Sequence, residues 1–284
     1  MSQTPVTLRL NLEKGKVYTI KTTSQQKIQQ TANGQQISVD VVSNRVVTYK
    51  VLDQKDDIME VEFSFDTIAS KINSPMYSRE TNSAKPGTEP LEKILNKLSS
   101  TRLIASISTA GKFVGFINYS KFRESVLMVL DSVPVSKKEV AMKQAETLLK
   151  ETALKSMIEP FFAYLPDIAI NIGDKWETSY MNSSNDIASV VLNSFTLNGL
   201  ENNSASFTGA SEMESLPSNN PNAQMTQELK GTSTFEGSLD ITTGLCLKRT
   251  ENGLFDGKTT VKNNTEDMII PMQINVKSIT IMSK

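Results

Sequence analysis

Apolar residues alternate with a period of two through both ends of this chain, and the pattern is interrupted only in the middle. Val6-Thr-Leu-Arg-Leu-Asn-Leu12 places apolar side chains at 6, 8, 10 and 12, which reads as a half-buried strand. After a turn at Lys14-Gly15-Lys16, Val17 opens a strand that runs to about Gln30. Asn33-Gly34 is a strong hairpin signal, because type I′ turns need positive φ at both central residues. Ile37, Val39, Val41, Val47, Tyr49 and Val51 then alternate. A polar turn at 53–57 leads into a strand over 58–68 with Met59, Val61, Phe63 and Phe65 on one face. Four long strands joined by tight turns make an antiparallel meander.

The middle of the chain changes period. Residues 73–90 are rich in Asn, Ser and Pro and read as a loop. Leu91, Ile94, Leu95 and Leu98 follow at helical spacing, and Ala110-Gly111 is the turn of a hairpin. Phe122, Val126, Val129, Leu130 and Val133 fall on one helical face that Pro134 ends. Ser136-Lys-Lys-Glu139 has the form of a capping box and predicts a helix running to about Glu159. Its Ala141, Ala145, Leu148, Leu149 and Met157 form the apolar stripe. Glu139–Lys143, Glu146–Lys150 and Glu151–Lys155 are i,i+4 pairs worth about 0.2–0.5 kcal/mol each, which marks a solvated face.

The strand pattern resumes after the aromatic joint Phe161-Phe-Ala-Tyr-Leu-Pro166. Residues 186–197 and 204–213 read as a hairpin around Asn198-Gly199, and 215–222 as a Pro/Asn loop. A strand at 225–239 is followed by turns at Thr243-Gly244 and Asn252-Gly253. A closing strand spans 268–282, in which Ile274, Val276, Ile279 and Ile281 stay in phase only with a bulge at Lys277-Ser278. The two β-rich parts echo each other. Leu12 to Tyr18 matches Ile170 to Trp176, Tyr49 to Ile58 matches Phe195 to Ser204, and Ser106 to Phe113 matches Leu239 to Cys246. Either the halves 6–118 and 167–284 are a pseudo-repeat around a helical insertion at about 119–160, or tight turns have recruited Gly, Asn and Asp independently. The expected fold is one α+β, β-rich domain over 1–284: a large curved antiparallel sheet, an open half-barrel, packed on the central helices.

Composition excludes several functions. The 284 residues include no His and one Cys, so there is no Ser-His-Asp or Cys-His triad, no His-based metal site and no disulfide within the chain. Thirty basic against 31 acidic residues leave a net charge of −1, with no basic field for nucleic acid. The densest apolar run, Val126 to Leu130, is far short of the roughly 18 residues that span a bilayer. Ser, Thr, Asn and Gln number 92 and lie largely in the strands and turns, a surface that suits an envelope or secreted protein. On this reading the polar start Met1 to Pro5 follows a removed signal, and a lipid anchor lost with that signal is compatible with it; a cytoplasmic location is the alternative. Cys246, between two leucines, reads as a buried inert thiol.

Leu165 to Trp176 (Leu-Pro…Ile-Gly-Asp-Lys-Trp) and Asp240-Ile-Thr-Thr-Gly-Leu245 resemble a family of uncharacterised secreted or lipid-anchored proteins of the Bacteroidetes. The broad pattern of long antiparallel strands with a few helices is also similar to the outer-membrane lipoprotein carrier superfamily. That second resemblance implies an incomplete barrel wrapped around apolar helices and a lipid-binding cavity. Neither resemblance carries functional residues over to this chain.

The carboxylate pairs Asp56-Asp57, Glu60/Glu62 and Glu212/Glu214 sit where a solvent face is expected. Asn263-Asn-Thr-Glu-Asp267 lacks the spacing of a calcium loop, and Asn118, Asn182, Asn202 and Asn263 open glycosylation-type triplets that an Asn-rich chain produces by chance. The aromatic and methionine residues Phe122, Met128, Met157, Phe161, Phe162, Tyr164 and Trp176 are candidate lining for a ligand cavity between helices and sheet, with ordinary core packing as the alternative. The expected function is a non-enzymatic, periplasmic or surface-anchored envelope protein that binds an apolar or amphipathic, lipid-like ligand and needs no cofactor or metal. The competing expectation is a structural or protein-interaction module with no small-molecule ligand; a carboxylate-based hydrolase is a third.

Overall fold

The computed structural model describes residues 5–32, 34–184, 187–217, 224–262 and 266–283. The first meander comprises β1 (Val17–Ala32), β2 (Gln35–Lys55), β3 (Ile58–Asn73), β5 (Leu103–Ser108) and β6 (Phe113–Phe116), with a short β4 (Ser78–Asn82) pairing β3. The second comprises β7 (Lys175–Ser184), β8 (Ile187–Glu201), β9 (Ser204–Ser215), β10 (Met225–Asp240), β11 (Cys246–Val261) and β12 (Met268–Ser283). The pairing of β1 with β12 joins the two into one antiparallel, curved sheet in the order β6-β5-β3-β2-β1-β12-β11-β10-β9-β8-β7. Its ends, β6 and β7, do not pair, so the barrel stays open.

The chain between those two ends is the helical block: α2 (Tyr119–Leu127), a 3-10 turn over Met128–Ser132, α3 (Val135–Leu148) and α4 (Glu151–Ile158). With α1 (Pro90–Ser99) it packs on the inner face at one end of the sheet. Tyr18 and Ile20 of β1, Val47 and Tyr49 of β2, and Phe63 and Phe65 of β3 are buried there, together with Ile94, Leu98, Phe122, Ala141, Ala145, Leu154 and Ile158 of the helices. The β-hairpin turns follow the expected chemistry. The β2–β3 turn carries Asp56 at φ 52°, and β1 meets β2 with Ala32 opposite Gln35, although Asn33 itself lies outside the described residues. Gly15 donates its N–H to Val51 O (2.9 Å) just before β1, and Gly173 donates to Leu197 O (2.7 Å) just before β7, the same bond at the opening of each half.

Several expectations are corrected. Residues 6–12 alternate as predicted, with Leu8, Leu10 and Leu12 buried, but only Val6 forms a β-bridge, to Ile170. Leu10 N–H donates to Thr109 O and Asn11 N–H to Thr243 O, so the segment is extended but bonds to turns of both halves instead of a strand. The loop 73–90 contains β4. The helix expected over 136–159 breaks at Leu149-Lys150. Leu149 and Leu154 are both fully buried, and five residues apart on one straight helix they would point about 140° from each other; the break lets both face the core. Ser136 makes no capping box, because α3 starts a residue earlier, after Pro134; the capping box that forms joins Glu89 and Glu92 on α1.

In the second half, the β8–β9 turn is Asn202-Asn203, both at positive φ (46° and 66°), while Asn198-Gly199 sits within β8 at a register shift. Asn252-Gly253 is not a turn either. It lies inside β11, where Gly253 makes room for the Phe255 ring. β12 has no bulge at Lys277-Ser278: its register runs unbroken against β1 and β11, and Ile279 and Ile281 face out, about half exposed. The calcium-like segment at 263–267 and most of the loop at 215–222 fall on or against residues outside those described.

Candidate functional site

The unbroken register of β12 determines what faces inward. On β1 and β12 the even-numbered residues share the face that buries Ile20 and Met282, and on β2 the odd-numbered residues share the face that buries Val47. Moving along this face away from the helices, the next row across the sheet is Arg45 (β2), Thr22 (β1), Thr280 (β12) and Arg249 (β11). The row after that is Ser43, Ser24, Ser278 and Glu251. The next row is Val41, Gln26, Val276 and Gly253, and the one after it is apolar, with Val39, Ile28, Ile274 and Phe255 side by side. A polar belt therefore crosses a largely apolar concavity, whose outer part also carries Gln26 and Gln30 of β1.

The belt continues by hydrogen bonds into the second half. Arg249 pairs with Glu251 (3.0 Å) and lies over the Phe235 ring, 3.9 Å from its centroid. The Ser233 hydroxyl donates to Glu251 Oε1, the Ser211 hydroxyl to Asn193 Oδ1, and Asn193 Nδ2 to Thr178 Oγ1 (3.3 Å). Thr22 and Thr280 share a hydroxyl hydrogen bond of 3.0 Å. Asn193, Ser211 and Ser233 are buried, so these bonds offset the cost of placing polar groups on an inner face.

Two donors in the belt are left over. Among the described residues, Arg45 has no hydrogen-bond or ion-pair partner, and Arg249 Nε–H is buried without one. Burial pulls the Arg45 pKa below the ordinary arginine value. These groups open into a cavity of about 200 Å³ between the belt and the end of the helical block. Ile20, Phe161, Tyr164, Phe207 and Met282 supply its apolar wall, and Tyr180 and Cys246 also line it. Burial pushes the Tyr180 hydroxyl up to about 12, so it stays protonated and able to donate. The Cys246 thiol is likewise pushed up to about 12, chiefly by burial.

A larger cavity of about 630 Å³ lies at the seam, where the β5–β6 turn and residues 163–167 face β7–β9. Phe113, Leu165 and Leu192 line it beside Glu159, Glu177 and Glu212. Burial raises the Glu159 pKa, with Lys155 (3.4 Å) partly opposing, and Glu159 Oε2 is buried with no partner.

Of the seven residues expected to line a ligand cavity, Phe161 and Tyr164 border the 200 Å³ cavity. Phe162 packs edge-on to Tyr49 (5.4 Å) and Phe63 (6.1 Å), and Phe122 is buried in the core. Trp176 stacks on Phe195 at 5.0 Å and donates its indole N–H to Tyr164 O (2.8 Å). Met157 packs against the core from its edge, and Met128 is 68% exposed on the 3-10 turn, away from both cavities. Sequence reading missed Arg45, Thr22, Thr280, Arg249, Glu251 and Tyr180. The available signal was Arg45 itself, a charge in phase with Val41 and Val47 on the inward side of β2.

Of the carboxylate pairs, Glu60 is exposed on the outer face and Glu214 pairs with Lys230 (3.6 Å), while Glu212 lines the 630 Å³ cavity and not the belt. No helix among the described residues is long and apolar enough to cross a membrane.

An open antiparallel sheet closed at one end by helices, with a charged belt inside a largely apolar concavity, defines a β-rich α+β protein whose inner face is partly accessible. The chain belongs to DUF6263, a family of unknown function, whose model matches residues 56–246. No curated protein matches it. Among solved structures it is similar to one described for lipid–protein interactions in lipovitellin, at 8% identity and TM-score 0.49. That match covers 96% of this chain and 25% of the lipovitellin chain, so this chain spans about a quarter of that protein. It is also similar to a Bacteroides fragilis protein described as exported, with a YmcC-like fold (10% identity, TM-score 0.26, covering 98% of this chain and 100% of that one). A third is the outer membrane protein OprG of Pseudomonas aeruginosa (4% identity, TM-score 0.25, covering 96% and 99%). The likeness to the lipoprotein carriers rests on the sequence pattern alone.

Proposed function

We propose that this chain is a non-enzymatic binding protein of the cell envelope that holds an amphipathic, lipid-like molecule on the concave face of its sheet. The observation that carries the reading is Arg45, an unpaired guanidinium beside an apolar-walled cavity and within reach of the apolar rows of β1, β2, β11 and β12. An uncompensated charge on an inner face costs stability, and a ligand that supplies the missing partner offsets that cost. The cavity of about 200 Å³ is smaller than the roughly 300 Å³ of a typical small-molecule pocket, so it takes one end of a ligand, with the remainder along the open inner face. An envelope location is part of the proposal and is supported by the abundance of Ser, Thr, Asn and Gln.

The test is a titration of the intact chain with N-phenyl-1-naphthylamine, a neutral apolar fluorophore. The proposal expects saturable enhancement at a stoichiometry near one, and enhancement that never saturates overturns it. A structural or interaction module is the second reading, supported by the end strands β6 and β7, whose outer edges pair with no strand among the described residues, and by exposed Val114 on β6 and Ile117 just after it. On that reading the fluorophore does not bind.

A further inference from the structure

We infer that the concave site selects a monoanionic head group, a carboxylate or equivalent oxyanion carried on an apolar chain, and seats it between Arg45 and Arg249 over the Thr22–Thr280 pair. The inference rests on the proposed function above and adds the chemistry of the ligand.

The geometry follows from the register. Arg45, Thr22, Thr280 and Arg249 are direct neighbours in one row across four strands. At about 4.8 Å per strand, three intervals put the arginine Cα atoms roughly 14 Å apart along the sheet, or less where it curves. Both arginines line the one cavity of about 200 Å³, which leaves room for one small anion; the Arg249 guanidinium lies over Phe235 of β10, so Arg45 supplies the charge and Arg249 its free Nε–H. The floor between them is the Thr22–Thr280 hydroxyl pair.

The charges select the head. Two arginines and one glutamate line the cavity, and +2 − 1 leaves +1. Arg249 is already neutralised by Glu251, so the surplus sits on Arg45. The unfilled groups are also of one kind. Arg45 offers its guanidinium donors, Arg249 its buried Nε–H, and Tyr180 a hydroxyl that remains protonated. A site with unused donors and a single surplus positive charge fits a monoanion that accepts several hydrogen bonds, which is the pattern of charge-assisted guanidinium–carboxylate recognition.

The apolar rows fix the rest of the ligand. Val41 and Val276, then Val39, Ile28, Ile274 and Phe255, and then Ile37 and Met272 continue from the belt on the same face, with Gln26 and Gln30 of β1 as the polar members of the first and third rows. A chain attached to the head runs along them. An anion with no chain gains only the head contacts.

The test uses the intact chain and four probes: dodecanoate, dodecanol, dodecyltrimethylammonium and acetate, each titrated by calorimetry below its micellar concentration. The inference expects dodecanoate to bind at least tenfold more tightly than dodecanol. It expects the trimethylammonium compound to bind more weakly still, and acetate not to bind measurably. Arg45→Met keeps the apolar stem and should cost dodecanoate at least tenfold while leaving dodecanol unchanged. Equal affinities for dodecanoate and dodecanol, unaltered by Arg45→Met, would overturn the head-group assignment and leave the apolar site standing. Failure of every chain-bearing probe overturns the proposed function itself. Tight binding of acetate shows an anion site without a chain and also overturns the inference. Should Arg45→Met not fold, the comparison of dodecanoate with dodecanol on the unaltered chain decides alone.

Discussion

The Tyr164 hydroxyl joins the end of the helical block to the second half of the sheet. It accepts the Cys246 backbone N–H (2.9 Å) and donates to Gly244 O (3.0 Å). Both bonds are buried, and Gly244 can hold its φ of 71° against Arg9 because it has no Cβ. Tyr164→Phe removes one oxygen and leaves an N–H and a C=O without partners. The expected loss is about 1–3 kcal/mol, read as a lower urea midpoint with an unchanged m-value. A neutral outcome would mean that the hydroxyl does not link the two halves.

Trp176 is the only tryptophan, and it sits flat on Phe195 with its planes 7° apart. Trp176→Phe preserves an aromatic pair but removes the donor to Tyr164 O, at an expected cost of about 1–3 kcal/mol. Trp176→Ala also empties the site and costs about 3–5 kcal/mol. Equilibrium unfolding by circular dichroism separates the two, and equal effects would contradict the separate role of the indole N–H.

The Cys246 thiol should be inert in the folded chain. With its pKa at about 12 in place of 9.0, the thiolate fraction at pH 8 falls by about 10³, and burial adds a steric barrier. Reaction with a thiol-specific disulfide reagent should therefore be at least about 10³-fold slower before denaturation than after it. Comparable rates in both states would place the thiol in solvent.

Glu159 should make stability depend on pH in the direction opposite to a well-paired carboxylate. Burial raises its pKa in the fold, so folding takes up a proton between the ordinary glutamate value and the raised one. Its penalty is absent below that window and grows as pH rises through it. Glu159→Gln should thus raise the melting temperature relative to the unaltered chain at pH 7, with the difference shrinking toward pH 4. A variant less stable at pH 7 would show that the Lys155 ion pair outweighs burial.

Gly209 lies under the Phe235 ring, and an added Cβ would meet that ring at 2.4 Å and Ser194 O at 2.2 Å. Gly209→Ala should therefore destabilise the chain by about 1–3 kcal/mol through overpacking. A thermal melt checks this, and an unchanged midpoint would mean the ring moves aside freely.

The alternation at Ile37–Val51 and Met59–Phe65 identified β2 and β3 and their inward faces, of which Val47, Tyr49, Val51, Met59, Val61, Phe63 and Phe65 are buried in the core shared with the helices. The helix over 91–98 was legible for the same reason. The belt was not, because it breaks the rule that reveals the strands. Ser278 and Thr280 occupy inward positions on β12 while Ile279 and Ile281 face out, so hydrophobicity alone favoured a bulge that the β1 and β11 registers do not contain. Asn252-Gly253 misled in the same way: the dipeptide favours a turn, but in β11 its glycine accommodates Phe255. The pairing of Arg45 with Thr22, and of Thr22 with Thr280, links residues up to 258 positions apart, and no local pattern encodes it.

The account stands on the concave face taking up an amphipathic molecule. Native mass spectrometry of the intact chain, purified without detergent and then incubated with dodecanoate, tests this most directly. The predicted result is a single 1:1 adduct, either a co-purified amphiphile or added dodecanoate, that is lost on denaturation and depleted in Arg45→Met. A spectrum showing only the bare chain, with and without dodecanoate, would contradict it.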